Sequence, residues 1–137
     1  LRESSAAHNM PECLKIITEH HVDTTLCSIV TDDLHTIDAV DRGHLDEAVR
    51  VAIANGIDFI TAIQLVTINA ARAFHLDWEI GSLAPGRIAN VTLLENEKKP
   101  VVTDVISQGK VIVNRAPDCG ILVTLKLNWL LFLLQPT

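Results

Sequence analysis

Hydrophobic and polar positions divide the chain into a helical first part and a β-rich second part. Across residues 11–20, Leu14, Ile16 and Ile17 sit among Glu12, Lys15 and Glu19. Pro11 suits a first helical turn, where its missing N–H would be unpaired anyway, so a short helix is predicted. The run Leu26-Cys27-Ser28-Ile29-Val30 is apolar and β-branched, which predicts a strand buried on both faces of a parallel sheet. Leu45, Ala48, Val49, Ala52 and Ile53 recur at helical spacing, with Asp46 and Glu47 at the positive N-terminus and Asn55-Gly56 as a left-handed stop. A second helix is predicted from the N-cap Asp58 through Ile60, Ile63, Val66, Thr67, Ala70 and Phe74, the two forming a hairpin packed on the sheet. After Trp78 the period changes. Residues 88–94, 101–107 and 110–113 predict three strands of a small antiparallel unit, separated by a charged loop and by Gln108-Gly109.

Length narrows the architecture. The chain has 137 residues, enough for one domain but short of the roughly 250 of a complete (β/α)₈ barrel. It opens on Leu1 with no basic region, apolar stretch or small-residue cleavage site behind it, so the start is expected to be a cut rather than a natural terminus. Residues 121–134 are strongly apolar but carry Lys126 and Asn128, and they are shorter than the roughly 18 to 20 residues of a spanning helix. A buried terminal strand or helix is expected there, with a non-native tail as the rival, and no membrane partner.

The formal charge of −6 and scattered Lys and Arg speak against a nucleic-acid surface and for small-molecule chemistry. Cys13, Cys27 and Cys119 are odd in number and form no C-x-x-C pair. Neither a disulfide framework nor a thiolate zinc site is indicated, and the cytoplasm is the expected location.

The candidate chemistry sits at Thr31-Asp32-Asp33-Leu34-His35, where the chain leaves the predicted strand. An Asp at the carboxyl end of a barrel strand can ligate a divalent ion and move a proton, whereas in another context the same pair is a turn or a helix N-cap. His35, two residues past Asp33, is a candidate substrate contact. His20 and His21 are read as surface residues, because adjacent side chains diverge. His44 is read as a cap or a packing residue. Gly81 and Gly86 lack phosphate-loop spacing and are turn residues, and the H-x-E…P-C-x-x-C deaminase signature is absent.

Five stretches, Arg2-Glu3-Ser4-Ser5-Ala6, Val30-Thr31-Asp32-Asp33-Leu34-His35, Gly43-His44-Leu45-Asp46, residues 62–71 and Gly81-Ser82-Leu83-Ala84-Pro85-Gly86-Arg87, resemble in order and spacing the C-terminal part of the adenine deaminase family. Thr67-Ile68-Asn69-Ala70-Ala71 and the Gly-x-Leu-x-Pro-Gly element are shared with the wider amidohydrolase superfamily. Thr-Asp-Asp-x-His and Gly-His-Leu-Asp point to the adenine branch.

The resemblance implies an α/β fold. Residues 1–80 would be the C-terminal portion of a (β/α)₈ metal-dependent hydrolase barrel, from the end of strand seven, with residues 26–30 as strand eight. Residues 81–115 would be part of a small β-sandwich, and 116–137 are unassigned. It implies hydrolysis of adenine to hypoxanthine and ammonia by a metal-bound hydroxide, with manganese or iron as cofactor and most metal ligands upstream of Leu1. Asp32 would ligate the metal and shuttle the proton, with Asp33 as the alternative ligand. His35, Asp33, Arg2, Glu3, Ser4 and Ser5 would line the purine pocket. Adenine would be the partner of a homo-oligomeric parent, and the isolated chain would be inactive. Two other readings stay open: a different amidohydrolase (a deacetylase, dihydroorotase-like or guanine-type enzyme), and a non-catalytic β-rich interaction module or inactive paralogue.

Overall fold

A computed structural model describes residues 1–114; the apolar stretch 121–134 and the structure expected for it lie outside the described residues. The predicted first helix is α1 (Met10–Thr18), with Pro11 in its first turn and Met10 and Leu14 fully buried. A short helix that the periodicity did not show, α2 (Thr36–Asp41), follows the Asp32–Asp33 segment. The helix expected over residues 45–54 is α3 (Leu45–Ala54), ended by Asn55 and by Gly56 at φ +91°.

The second predicted helix is interrupted. It forms as α4 (Phe59–Val66) and α5 (Ile68–Ala73), which meet at Thr67 (φ −126°, ψ −92°). The Thr67 hydroxyl donates to the Ile63 carbonyl at 2.7 Å, the back-bonding by which a mid-helix Thr competes with the backbone ladder. After the break Ala70 stays buried, whereas Phe74, just past the end of α5, is exposed, as is Ile60 near the start of α4.

At the start of α4, Asp58 accepts a hydrogen bond from the Thr61 N–H at 3.0 Å. Bonds from Thr61 hold the Asp58 carboxyl below its ordinary 3.8. A depressed carboxyl contributes stability that is whole above the unfolded-state value and is lost as pH falls through the folded one. Asp58→Ala is therefore expected to cost about 1 kcal/mol near neutral pH and almost nothing in strong acid. Urea unfolding at the two pH values checks this, and an equal cost at both would contradict it.

The predicted strand over residues 26–30 does not form. Thr24–Leu26 is a 3₁₀ turn capped by Asp23, Leu26 is 97 % exposed, and only Val30 makes a bridge, parallel to Arg2. A parallel strand takes its regularity from neighbours on both sides, and among the described residues one short stretch runs alongside this segment: Leu1 N donates to Ser28 O, Val30 N to Leu1 O and Glu3 N to Val30 O. Ile29 alone of the run is fully buried. Its N–H donates to the Leu65 carbonyl at 2.9 Å.

Ile29 thereby joins the core, which is built by α1, α3 and α4 from Met10, Leu14, Ala48, Ala52, Ala62 and Leu65 among others. The α3–α4 hairpin packs on itself and on α1, not on the regular parallel sheet expected from the sequence.

The predicted antiparallel unit is present as β1 (Val91–Glu95), β2 (Val101–Ser107) and β3 (Lys110–Val113), in the order β1-β2-β3. Gln108 and Gly109 both have positive φ in the β2–β3 turn, as a two-residue hairpin loop requires. Gly81, at φ +92°, packs against α5: an added Cβ would stand 2.7 Å from the Ala71 Cβ and 3.1 Å from the Ile68 Cα. The Asn-Ala-Ala and Gly-x-Leu-x-Pro-Gly stretches thus interlock by contact.

Candidate active site

In a parallel pair both segments leave the ladder at the same end. The bridge between Arg2 and Val30 therefore delivers Glu3, Ser4 and Ser5 beside Asp32, Asp33 and His35. The stitching runs almost residue by residue. Arg2 Nη1 lies 2.6 Å from Asp32 Oδ2, with both side chains about half exposed. The Ser4 hydroxyl donates to Asp33 and holds that carboxyl below the ordinary range, with the Arg2 charge acting in the same direction. Ser5 Oγ accepts from the His35 N–H at 2.7 Å, and its hydroxyl lowers the Asp38 carboxyl in the same way.

Asp32 itself is at φ +52°, the left-handed region in which an L-residue is sterically strained. Its carbonyl accepts from Leu34 N–H, and its carboxylate points to solvent beside Arg2. Asp33 and His35 are exposed. Ser4 is fully buried, and its oxygen also accepts from the Ala7 N–H at 3.1 Å. Glu3 is mostly buried: Oε1 is 2.9 Å from His8 Nδ1, while Oε2 has no hydrogen-bond partner. His20 and His21 are exposed, as the sequence indicated.

His44 and its surroundings carry more than the sequence suggested. It occupies the N-cap position of α3 without a side-chain cap bond. Instead its Nε2 lies 3.3 Å from Thr31 Oγ1 in a buried contact. The cap is supplied by Asp46, whose Oδ1 accepts from the His44 N–H at 2.8 Å. Asp46 is held in turn by Arg50 at 2.9 Å, and Arg50 also reaches Glu47, the Arg42 carbonyl and the Pro100 carbonyl. Gly43 (φ +122°) closes the motif, because a Cβ there would come within 2.8 Å of both Asp46 and Arg50. Gly-His-Leu-Asp is thus a scaffold behind the Asp32 loop that also ties α3 to the residue before β2.

A cleft of about 290 Å³, lined by Ile17, Thr18, His21, Ile57 and Thr61 among others, contains none of the expected site residues. Among the described residues no three His, Cys, Asp or Glu side chains are grouped as a metal would need, and one oxygen of Asp32 is taken by Arg2. The described residues fit one ligand of a metal and not a metal centre.

The amidohydrolase family model matches residues 2–112, which takes in the arrangement from Arg2 into the last strand. The chain belongs to the amidohydrolase family. As an amidohydrolase it is 42 % identical over 123 residues to an adenine deaminase of Clostridium botulinum (strain 657 / Type Ba4), covering 90 % of this chain and 20 % of that protein. It is 40 % identical over 116 residues to adenine deaminase 1 of Latilactobacillus sakei, covering 80 % and 19 %. The chain spans about a fifth of the length of these curated relatives.

Among solved structures it is similar to an adenosine deaminase of Xanthomonas campestris with bound zinc (TM-score 0.51, 18 % identity, 90 % of this chain and 33 % of that one). An uncharacterised protein gives TM-score 0.52 at 22 % identity, covering 77 % and 26 %. These likenesses show an α/β amidohydrolase fold.

Proposed function

We propose that this chain is part of an adenine deaminase, in which Asp32 moves the proton of the hydrolytic step. The observation that carries the reading is the pairing of the two stretches that resemble that family, residues 2–5 and 32–35, at one end of the parallel bridge. The identities near 40 % to curated adenine deaminases support the substrate. Water adds at C6 of adenine and ammonia departs, leaving hypoxanthine. The Asp32 carboxylate accepts the proton that water gives up and passes it to the departing amine, which is general acid–base work for a positioned carboxylate.

Arg2, Glu3, Asp33 and His35 are assigned to the purine. Ser4 and Ser5, whose hydroxyls are already engaged, anchor the loop that presents them. A divalent metal, manganese or iron, completes the proposal, with Asp32 as its one ligand from the described residues and Asp33 as the alternative. Residues 1–80 belong to the barrel and 81–115 to the small β domain, a division supported by a sheet whose three strands, among the described residues, pair only with each other. The free thiols of Cys13 and Cys27 suit a cytoplasmic enzyme.

The test is ammonia release from adenine, with guanine and dihydroorotate as controls, by the polypeptide that carries this chain within a length comparable to its relatives. Turnover of adenine alone is expected. The 137-residue chain by itself, supplied with manganese, is expected to release no ammonia, and robust turnover by it would overturn that part of the proposal.

A further inference from the structure

His44 is the one buried imidazole among the described residues, 6 % exposed. Its ring reaches across 13 positions of sequence to Thr31, itself 4 % exposed and directly ahead of Asp32. Three observations set this contact apart from ordinary packing. First, Nδ1 is buried without a partner, so a phenyl or leucyl group would fill the space without leaving a polar atom unpaired; the bond at Nε2 is what an imidazole adds. Second, the base of the ring is rigid: Asp46 fixes the His44 N–H, Arg50 fixes Asp46, and Gly43 leaves room for both. Third, the residue beyond Thr31 is the one held at φ +52°, and a left-handed non-glycine persists only where its surroundings restrain it. On the Asp32 side, the Arg2 pair is half exposed and the Leu34 N–H turn spans only two residues. The Thr31–His44 contact is the buried one.

Burial pushes the His44 imidazole below its ordinary value, against the opposing pull of Asp46, so the ring bonds in its neutral form. With the hydrogen on Nε2 it donates to Thr31 Oγ1 and leaves an acceptor, not a donor, unpaired at Nδ1, the less costly of the two omissions.

We propose that His44 is a positioning residue which, through the Thr31 hydroxyl, fixes the backbone from which the Asp32 carboxylate projects. The role in catalysis rests on the reading of Asp32 given above. The test is amide hydrogen exchange by NMR on the full 137-residue chain, at Leu34 and His35, whose N–H groups are bonded to Asp32 O and Ser5 Oγ.

His44→Phe and Thr31→Val are each expected to speed exchange at these two amides about tenfold, as loss of one buried hydrogen bond would. The double variant should be no faster than either single one. His44→Gln, whose amide can reach the Nε2 position, should restore the wild-type rate, and amides within α3 should change less than about twofold in every variant. Unchanged exchange at Leu34 and His35, additive effects in the double variant, or equal acceleration throughout α3 would overturn the positioning role. The readout uses no substrate, so those results leave the adenine reading standing. Absence of adenine turnover by the longer wild-type polypeptide would overturn that reading and leave the anchoring of Asp32 as measured.

Discussion

Replacing Asp32 with asparagine in the polypeptide that carries this chain is expected to lower kcat for adenine deamination by about 10³, the scale on which a positioned acid–base group acts, while KM changes by less than about threefold. The substitution keeps the size of the side chain and one oxygen that Arg2 can still approach, but it removes the carboxylate proposed to accept and return the proton. Asp33→Asn is the necessary comparison, because the two carboxylates are neighbours with different surroundings. Asp33 is already engaged by the Ser4 hydroxyl, whereas Asp32 is held by the exposed Arg2 pair, a contact cheap to exchange for another cation. The Asp33 variant is expected to lose less than about tenfold in kcat, with more of its effect in KM. Steady-state ammonia release for both variants checks this. If Asp33→Asn is the dead enzyme and Asp32→Asn the mild one, the assignment moves one residue along the chain.

Asn69→Leu is expected to lower stability by about 2–3 kcal/mol, because it removes two hydrogen bonds and strips the Cys27 carbonyl of its side-chain donor, while the Thr24 carbonyl keeps the Cys27 N–H. Its Nδ2 donates to the Thr24 carbonyl at 2.8 Å and to the Cys27 carbonyl at 2.9 Å, the two ends of the 3₁₀ turn that precedes Ile29. Asn69 is buried, and leucine would supply volume but no donor. Against a total of about 5–15 kcal/mol for a domain this is a large fraction. Asn69→Asp is expected to be at least as damaging, since it turns a second acceptor toward two carbonyls. Urea unfolding with an unchanged slope would measure the loss. A cost under about 0.5 kcal/mol, the scale of an ordinary surface substitution, would show that the turn holds without the clamp. The same experiment separates scaffold from chemistry, because Asn69 belongs to the stretch that resembles the amidohydrolases yet touches neither Asp32 nor Arg2.

The amino-acid sequence by itself determined the elements whose signals are local. Pro11, the Asp58 cap, the Asn55-Gly56 stop and the Gln108-Gly109 turn each act within a few residues, so α1, α3, the start of α4 and the three strands could be placed from them. It also marked the two stretches that meet at the candidate site. Signals that depend on partners misled. The apolar run 26–30 reads as a strand, but strand geometry is conferred by neighbours, and with one short parallel neighbour only Val30 bridges. The single periodic stripe after Asp58 hid the break at Thr67, because hydrophobic spacing does not register a hydroxyl that bonds back to Ile63.

Tertiary structure alone decided the rest. Which serine bonds to Asp33 and which to His35, and the buried His44–Thr31 contact, join residues 13 to 30 positions apart, and between these contacts Asp32 is held left-handed. No pattern of spacing carries such pairings, since they arise when packing strips water from polar groups and obliges each to find a partner within the fold.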